Sequence, residues 1–337
     1  MRAAFLVLLV LVAYPLAAEH SLKGIVDLRA SNLSSEVDNK SYLTGGYGKY
    51  RFNDGASAAL GQLGLHYKAD IAEKFAVNIV ANGFSDENET SIGLTEAYIQ
   101  YKGLPSRNGW RYQAKLGVFY PKISLENVAT AWSTPYTITN SAINNWVGEE
   151  LRHTGISFSV EKLGKFKRSP HSFTIDLSLF QNNDSTGAML TWHGWTVGSR
   201  QTMLQETLKV QWFPARTGEL SEQAAHSDPF IELDNRWGTH LVAKWQYDKK
   251  LRLNIGYYDN HAQEGLVEKG QYTWTTEFIH TGLKYKLAPK LEFITQYMSG
   301  STLMTSPTFK HVVSSDFDSA FIMVRKNIRQ HHIALRL

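Results

Sequence analysis

From Leu251 to Tyr258 every second residue is apolar: Leu251, Leu253, Ile255 and Tyr257 alternate with Arg252, Asn254, Gly256 and Tyr258. A period of two puts the two sets on opposite faces of a β-strand. The alternation recurs in Phe173, Ile175, Leu177 and Leu179 against Thr174, Asp176 and Ser178, and in Leu241, Ala243, Trp245 and Tyr247 against Lys244 and Gln246. It is also present in Leu208, Val210 and Trp212 against Thr207, Lys209 and Gln211, and in Phe75, Val77, Ile79 and Ala81 against Asn78 and Asn82. Helical spacing is hard to find after residue 20. Taken in order, such runs predict strands at 22–30, 57–69, 74–83, 91–102, 110–120, 152–162, 171–181, 203–213, 229–234, 238–248, 250–259, 272–286, 288–298, 316–326 and 331–337, fifteen in all. The weakest is 229–234, and the face of 316–326 stays open because Phe321, Ile322, Met323 and Val324 are all apolar.

The links between these runs differ in length by side. Asp70–Glu73, Asp248–Lys250, Leu287–Lys290 and Asn327–Gln330 are short; 31–56, 121–151, 182–202, 260–271 and 299–315 are long, and 214–228 is long where a short one is due. Short periplasmic turns opposite long outer loops are the layout of an outer-membrane barrel, whereas a soluble sandwich mixes lengths at both ends. Tyr67, Tyr101, Tyr120, Trp212, Tyr247, Tyr257, Tyr258, Tyr285 and Tyr297 close strands as interfacial girdles would, although strands favour aromatics in any case. The expected fold is all-β: a transmembrane antiparallel β-barrel of about 14–18 strands with short periplasmic turns and long extracellular loops. Such barrels have an even strand number, so the fifteen runs point to one wrong strand or to C-terminal strands missing from a 16–18-stranded wall.

Composition alone misleads. The chain has 337 residues, no Cys, 43% hydrophobic, 12% aromatic and 20% charged residues, with a mean hydropathy of −0.29. That average reads as soluble, but it is also what a lipid-facing half and a water-facing half produce together. Lack of Cys excludes a disulfide framework and Cys-ligated zinc or iron–sulfur sites, and the aromatic content excludes long disorder. Met1–Ala18 carries Arg2, an apolar run from Ala3 to Ala13, Pro15 and the small pair Ala17 and Ala18. This is a secretory signal peptide, too short for the ~20 residues of a spanning helix. The expected organisation is therefore a signal peptide at 1–18 and a single barrel domain at 19–337, exported to a bacterial outer membrane.

The phase opposite the apolar one gives the inward face. Its cations are Lys23, Arg29, Lys68, Lys102, Arg111, Lys115, Lys209, Lys244, Arg252, Lys284 and Arg336; its acids are Asp27, Glu96, Asp176 and Glu292. A wet lumen with that basic excess concentrates anions. The least strand-like stretch joins Tyr120-Pro-Lys-Ile-Ser-Leu-Glu-Asn127, Trp132-Ser-Thr-Pro-Tyr136, Ser141-Ala-Ile-Asn-Asn-Trp146 and Gly148-Glu-Glu-Leu-Arg152. Here the chain resembles Gram-negative porins, in particular the trimeric and phosphate-selective-type group, in which a long third loop folds inward and narrows the channel. The resemblance implies a water-filled pore for small hydrophilic solutes or anions, embedded in outer-membrane lipid, with a homotrimer or a monomer both open. It implies that Glu126, Glu149 and Glu150 of the loop face Arg111, Lys115 and Arg152; strand phase adds Lys209, Lys244 and Arg252 to the pore lining. Such barrels tend to end in an aromatic residue, whereas this chain ends in Leu337. In Pro229–Gly238, Asp234, Asn235 and Gly238 favour a tight turn; the alternative puts Arg236 and Trp237 at the channel mouth, in contact with solute.

Other classes find less support. No G-x-S-x-G elbow or H-E-x-x-H helix is present, and His331 and His332 are adjacent in a strand and so face opposite ways. His153 reads as a wall residue. No phosphate-binding glycine loop occurs, no cofactor is expected, and the basic residues are spread over strands instead of clustered for nucleic acid. An outer-membrane enzyme, or an adhesin or structural barrel without an open channel, remains the alternative.

Overall fold

The computed structural model describes residues 19–34, 40–86 and 92–337; the expected signal peptide at 1–18 lies outside the described residues. Thirteen strands form one sheet: β1 (Glu19–Leu33), β2 (Gly55–Ala72), β3 (Phe75–Gly83), β4 (Ile92–Lys102), β5 (Trp110–Phe119), β6 (His153–Lys162), β7 (His171–Gln181), β8 (Gly238–Tyr247), β9 (Leu251–Asp259), β10 (Trp274–Ala288), β11 (Leu291–Thr305), β12 (His311–Ile328) and β13 (His331–Arg336). Each pairs antiparallel with the next in chain order. No helix among the described residues is long and apolar enough to cross a membrane.

The two faces are inverted relative to a soluble protein. On β7, Phe173, Ile175, Leu177 and Leu179 are 53%, 58%, 43% and 38% exposed, while Asp176 and Ser178 between them are 0% and 2% exposed. Along the neighbouring strands Leu241, Ile255 and Ile279 are exposed, and His240, Asn254 and His280 are buried. Each such apolar side chain is worth roughly 1.5–3 kcal/mol when fully removed from water, so a whole wall of them in water would outweigh a domain's roughly 5–15 kcal/mol of net stability. Lipid is the solvent this face fits. Where the phase would slip, a bulge corrects it. Asp27 pairs with Gln62 and Leu28 with Leu60, so the extra Gly61 keeps Leu60 and Leu63 on one face despite their odd spacing.

Two of the fifteen expected strands are not in the wall. Within 203–213 only Leu208–Lys209 forms strand, paired with His226–Ser227 in a two-stranded ribbon, and 229–234 forms none. The alternation there is real, but Leu208 and Val210 pack on Met189, Trp192 and Phe213 inside the loop fold. Periodicity cannot tell an apolar face turned to lipid from one turned to protein. Residues 182–237 thus form one long connection, which absorbs the link 214–228 that was long where a short one was due. A second difference lies at 299–315, expected as a loop: β11 and β12 continue through it and leave 306–310 as the link.

β1 and β13 end the sheet, with no ladder between them among the described residues. β13 pairs only with Met323–Ile328 of β12. A strap of the long β5–β6 loop crosses this seam. Arg336 donates to Thr137 Oγ1 (3.1 Å), Thr139 O (2.6 Å), Thr139 Oγ1 (2.7 Å) and Asn140 O (2.9 Å), and Thr137 and Ile138 line a cavity of about 420 Å³ with Ile25, Asp27 and Arg29 of β1.

Candidate pore constriction

The loop between β5 and β6 lies inside the wall and can be followed from contact to contact. Lys122 Nζ donates to Asp176 (2.5 Å) on β7 and Ser159 (2.7 Å) on β6. Leu125 N donates to Gln296 Oε1 on β11 (2.9 Å). At the far wall Ala131 has φ 52° and its carbonyl accepts from Gln62 (3.0 Å) and Gln201 (3.1 Å). Gly64 makes room there, because a Cβ on it would lie 2.6 Å from that of Ala131.

The returning limb is helix α1 (Ala142–Glu150). Ser141 caps it, accepting from Asn144 N (3.3 Å). Glu126 fixes the cap from below, accepting from Ser141 N (2.6 Å), Ser141 Oγ (2.7 Å) and Asn144 Nδ2 (3.0 Å), and pairs with Arg336 (3.1 Å). Trp146 packs on Phe278 and Phe317, which point inward from β10 and β12, and on Trp195. Glu150 accepts from Trp146 Nε1 (2.5 Å) and from Met189 N (2.9 Å) and Leu190 N (3.2 Å), so it seats helix α2 (Ala188–His193) against α1. Glu149 meets His193 at 3.1 Å. Arg152 answers the carbonyls at the end of α1, donating to Val147 O (3.3 Å), Gly148 O (3.2 Å) and Leu151 O (2.7 Å), and its guanidinium lies 3.4 Å from the Tyr120 ring centroid.

Burial and the neighbouring Glu149 push the Glu150 carboxyl up to about 7. Burial lowers Arg152 to about 10, and it raises Tyr120. Burial opposes the charged form of His193 most strongly, but Glu149, the Gly194 carbonyl and Glu150 together outweigh it and His193 ends up raised. Asp184 rises to about 7 through burial, with Asp234 and Glu232 adding to the shift. Those three carboxylates converge, yet they already accept backbone N–H groups: Leu233 on Asp184 (2.6 Å), Asn182 on Glu232 (2.8 Å) and Arg236 on Asp234 (2.7 Å). They hold the turn that carries Arg236 and Trp237, and both of these are exposed.

The facing arrangement expected for the loop acids is not the one the structure builds. Glu126, Glu149 and Glu150 are buried anchors of the loop, and Arg152 is buried among carbonyls. Arg111 pairs with Glu161 across β5–β6, and Lys115 lies over the Tyr98 ring at 4.4 Å. Lys209 belongs to the loop ribbon and not to the wall. Arg111, Lys244 and Arg252 do come together. With Lys165, Lys249, Glu161 and Asp248 they line a cavity of about 530 Å³ at the short-turn end. Arg111 pairs with Glu161, Lys122 with Asp176, and Glu292 with both Lys284 and Arg325, whereas Lys244 and Arg252 take part in no ion pair among the described residues.

Two wall features escaped sequence reasoning. Arg325 faces inward because Phe321 and Met323 are buried while Ile322 and Val324 are exposed, and it shares the loop's Tyr136 with Lys284, which donates to the Tyr136 hydroxyl at 2.8 Å. The second is a row of buried histidines, His153, His240 and His280. Strand phase could have found them, since all three fall on the polar face.

Fold and site together define a sheet with a lipid-type exterior, a polar interior and an internally folded loop. No family model matches the chain, and no curated protein does. Among solved structures it is similar to the outer membrane channel DcaP of Acinetobacter baumannii (TM-score 0.41, 10% identity, 95% of this chain and 90% of that one). It is also similar to an anion-selective porin from Comamonas acidovorans (0.45, 11%, 95% and 77%) and to Salmonella typhi OmpF in complex with daunomycin (0.39, 11%, 95% and 89%). At such scores the functional reading rests on the chain's own geometry.

Proposed function

We propose that this chain is an outer-membrane porin, exported by the signal peptide at 1–18, that passes small hydrophilic solutes and prefers anions. The observation that carries the anion preference is the pair Lys244 and Arg252, inward-facing, lining the 530 Å³ cavity and in no ion pair among the described residues. Positive side chains in a channel with low-dielectric walls raise the local anion concentration. Homotrimer formation belongs to the same proposal.

In planar bilayers with a KCl gradient, the protein is expected to give a reversal potential of anion-selective sign, and Lys244→Glu with Arg252→Glu is expected to reverse it. Cation selectivity of the unaltered protein would overturn the anion preference; absence of conductance at any voltage would overturn the channel. One observation favours a second reading, a barrel without an open channel: Trp146, Leu151, Phe180, Tyr258, Phe278 and Phe317 form an apolar core inside the wall. The same conductance measurement separates the two.

A further inference from the structure

Three imidazoles meet on the inward face of β6, β8 and β10. The ring centroids of His153 and His240 are 5.2 Å apart, as are those of His240 and His280, and His153 stacks on Phe180 at 4.1 Å. Nε2 of His240 and Nε2 of His280 are 2.9 Å apart, so one carries a proton and the other offers a lone pair. Strand β9 runs between them, and its residue in register with Val242 and His280 is Gly256. A Cβ at Gly256 would lie 2.2 Å from Nε2 of His280. The bare glycine is what lets the His280 ring lie across β9 to reach His240.

The hydrogen bond between the two rings leaves much of the row unsatisfied. Both ring nitrogens of His153, Nδ1 of His240 and Oδ1 of Asp176 are buried without a hydrogen-bond partner. Such atoms lose their hydration and regain nothing, and native interiors rarely leave several together. Strand pairing needs none of these side chains to be histidine.

We infer that this wall binds a late first-row transition-metal ion through Nε2 of His240 and Nε2 of His280, with His153 beside it. Neutral imidazoles suit copper, nickel and zinc, and copper(II) heads the affinity series. An ion about 2.0–2.1 Å from each nitrogen sees two atoms 2.9 Å apart at roughly a right angle, the angle between adjacent positions of a tetragonal copper site. The proton between the two rings moves to Nδ1 of its own ring, which frees both Nε2 lone pairs without net proton loss; acid opposes binding because protonating either ring occupies its ligating lone pair. The charges that face the row are Lys122, Lys244 and Lys115 as cations and Asp176 as the acid. Lys122 is paired with Asp176; the remaining positive field weakens every dication and leaves copper(II) as the ion to use.

The refolded protein titrated with CuCl2 at neutral pH is expected to retain one ion through gel filtration, and its electron paramagnetic resonance spectrum is expected to show two coordinating nitrogens. His240→Ala and His280→Ala are expected to weaken binding at least about tenfold. Gly256→Ala, which keeps every histidine and displaces only the His280 ring, is expected to do the same, and His261→Ala in an exposed loop is expected to change nothing. Equal copper binding by His240→Ala, His280→Ala and the unaltered protein overturns the inference. So does a spectrum of the unaltered protein without two nitrogens, a readout that needs no variant to fold.

Discussion

Glu126 and Lys244 are both charged and both inside the wall, yet their surroundings give them different roles. Glu126 is fully buried, with three donors around the cap of α1 and Arg336 as its counter-ion. Lys244 takes part in no ion pair among the described residues and faces a cavity. In the sequence each is one polar residue at a plausible position, and nothing local separates an anchoring acid from a solvated one. Breaking a buried ion pair by removing one partner costs about 3–5 kcal/mol. Glu126→Ala is therefore expected to release the strap at 133–140, seen as faster proteolytic cleavage there, whereas Lys244→Ala is expected to leave cleavage unchanged and alter only selectivity. Lys244 and Arg252 were legible because strand phase assigns them inward. The partners of Glu126 were not, because Arg336 lies two hundred residues further along the chain.

Helix α1 is the element that turns a loop into a constriction. Its stretch stood out as unlike a strand, but neither its helical form nor its contacts could be read, since it buries all but its first residue against strands and loops distant in sequence. Trp146→Ala is expected to remove about 3–5 kcal/mol of packing and, in the channel reading, to raise single-channel conductance by loosening α1 from Phe278 and Phe317. The same element sets a pH dependence. Glu150 is raised from 4.5 to about 7 by burial and Glu149, so between those values the folded state holds a proton that the unfolded chain has lost. Stability from this group is thus full below the unfolded value and declines as pH rises to about 7. Asp184 behaves alike, and His193, raised above 6.5 because Glu149, the Gly194 carbonyl and Glu150 together outweigh its burial, also contributes below its unfolded value and loses that contribution as pH rises through the folded one. The α1–α2 junction is expected to resist proteolysis better at pH 5 than at pH 8, with Glu150→Gln flattening the difference.

Across the wall as a whole, alternate residues meet different solvents. Leu177→Arg places a cation on the outward face and is expected to cost about 2–4 kcal/mol in bilayers if it lies near the midplane, measurable as a lower denaturant midpoint in vesicles. All thirteen strands of the wall were legible because a period of two survives any tertiary context that keeps one side chain in two on each face. The two errors, at 203–213 and 229–234, arose where loop segments pack on protein, as Leu208 does on Met189 and Trp192. Strand positions, the inverted faces and the inward phase of Lys244, Arg252 and His240 follow from the order of residues alone, because the pleat fixes which neighbour points where. Which acids anchor the loop, which cations stay unpaired, how α1 fills the lumen and how His280 crosses Gly256 to meet His240 depend on contacts between residues far apart in the chain. Those contacts exist only once the wall has curved and the loop has folded into it.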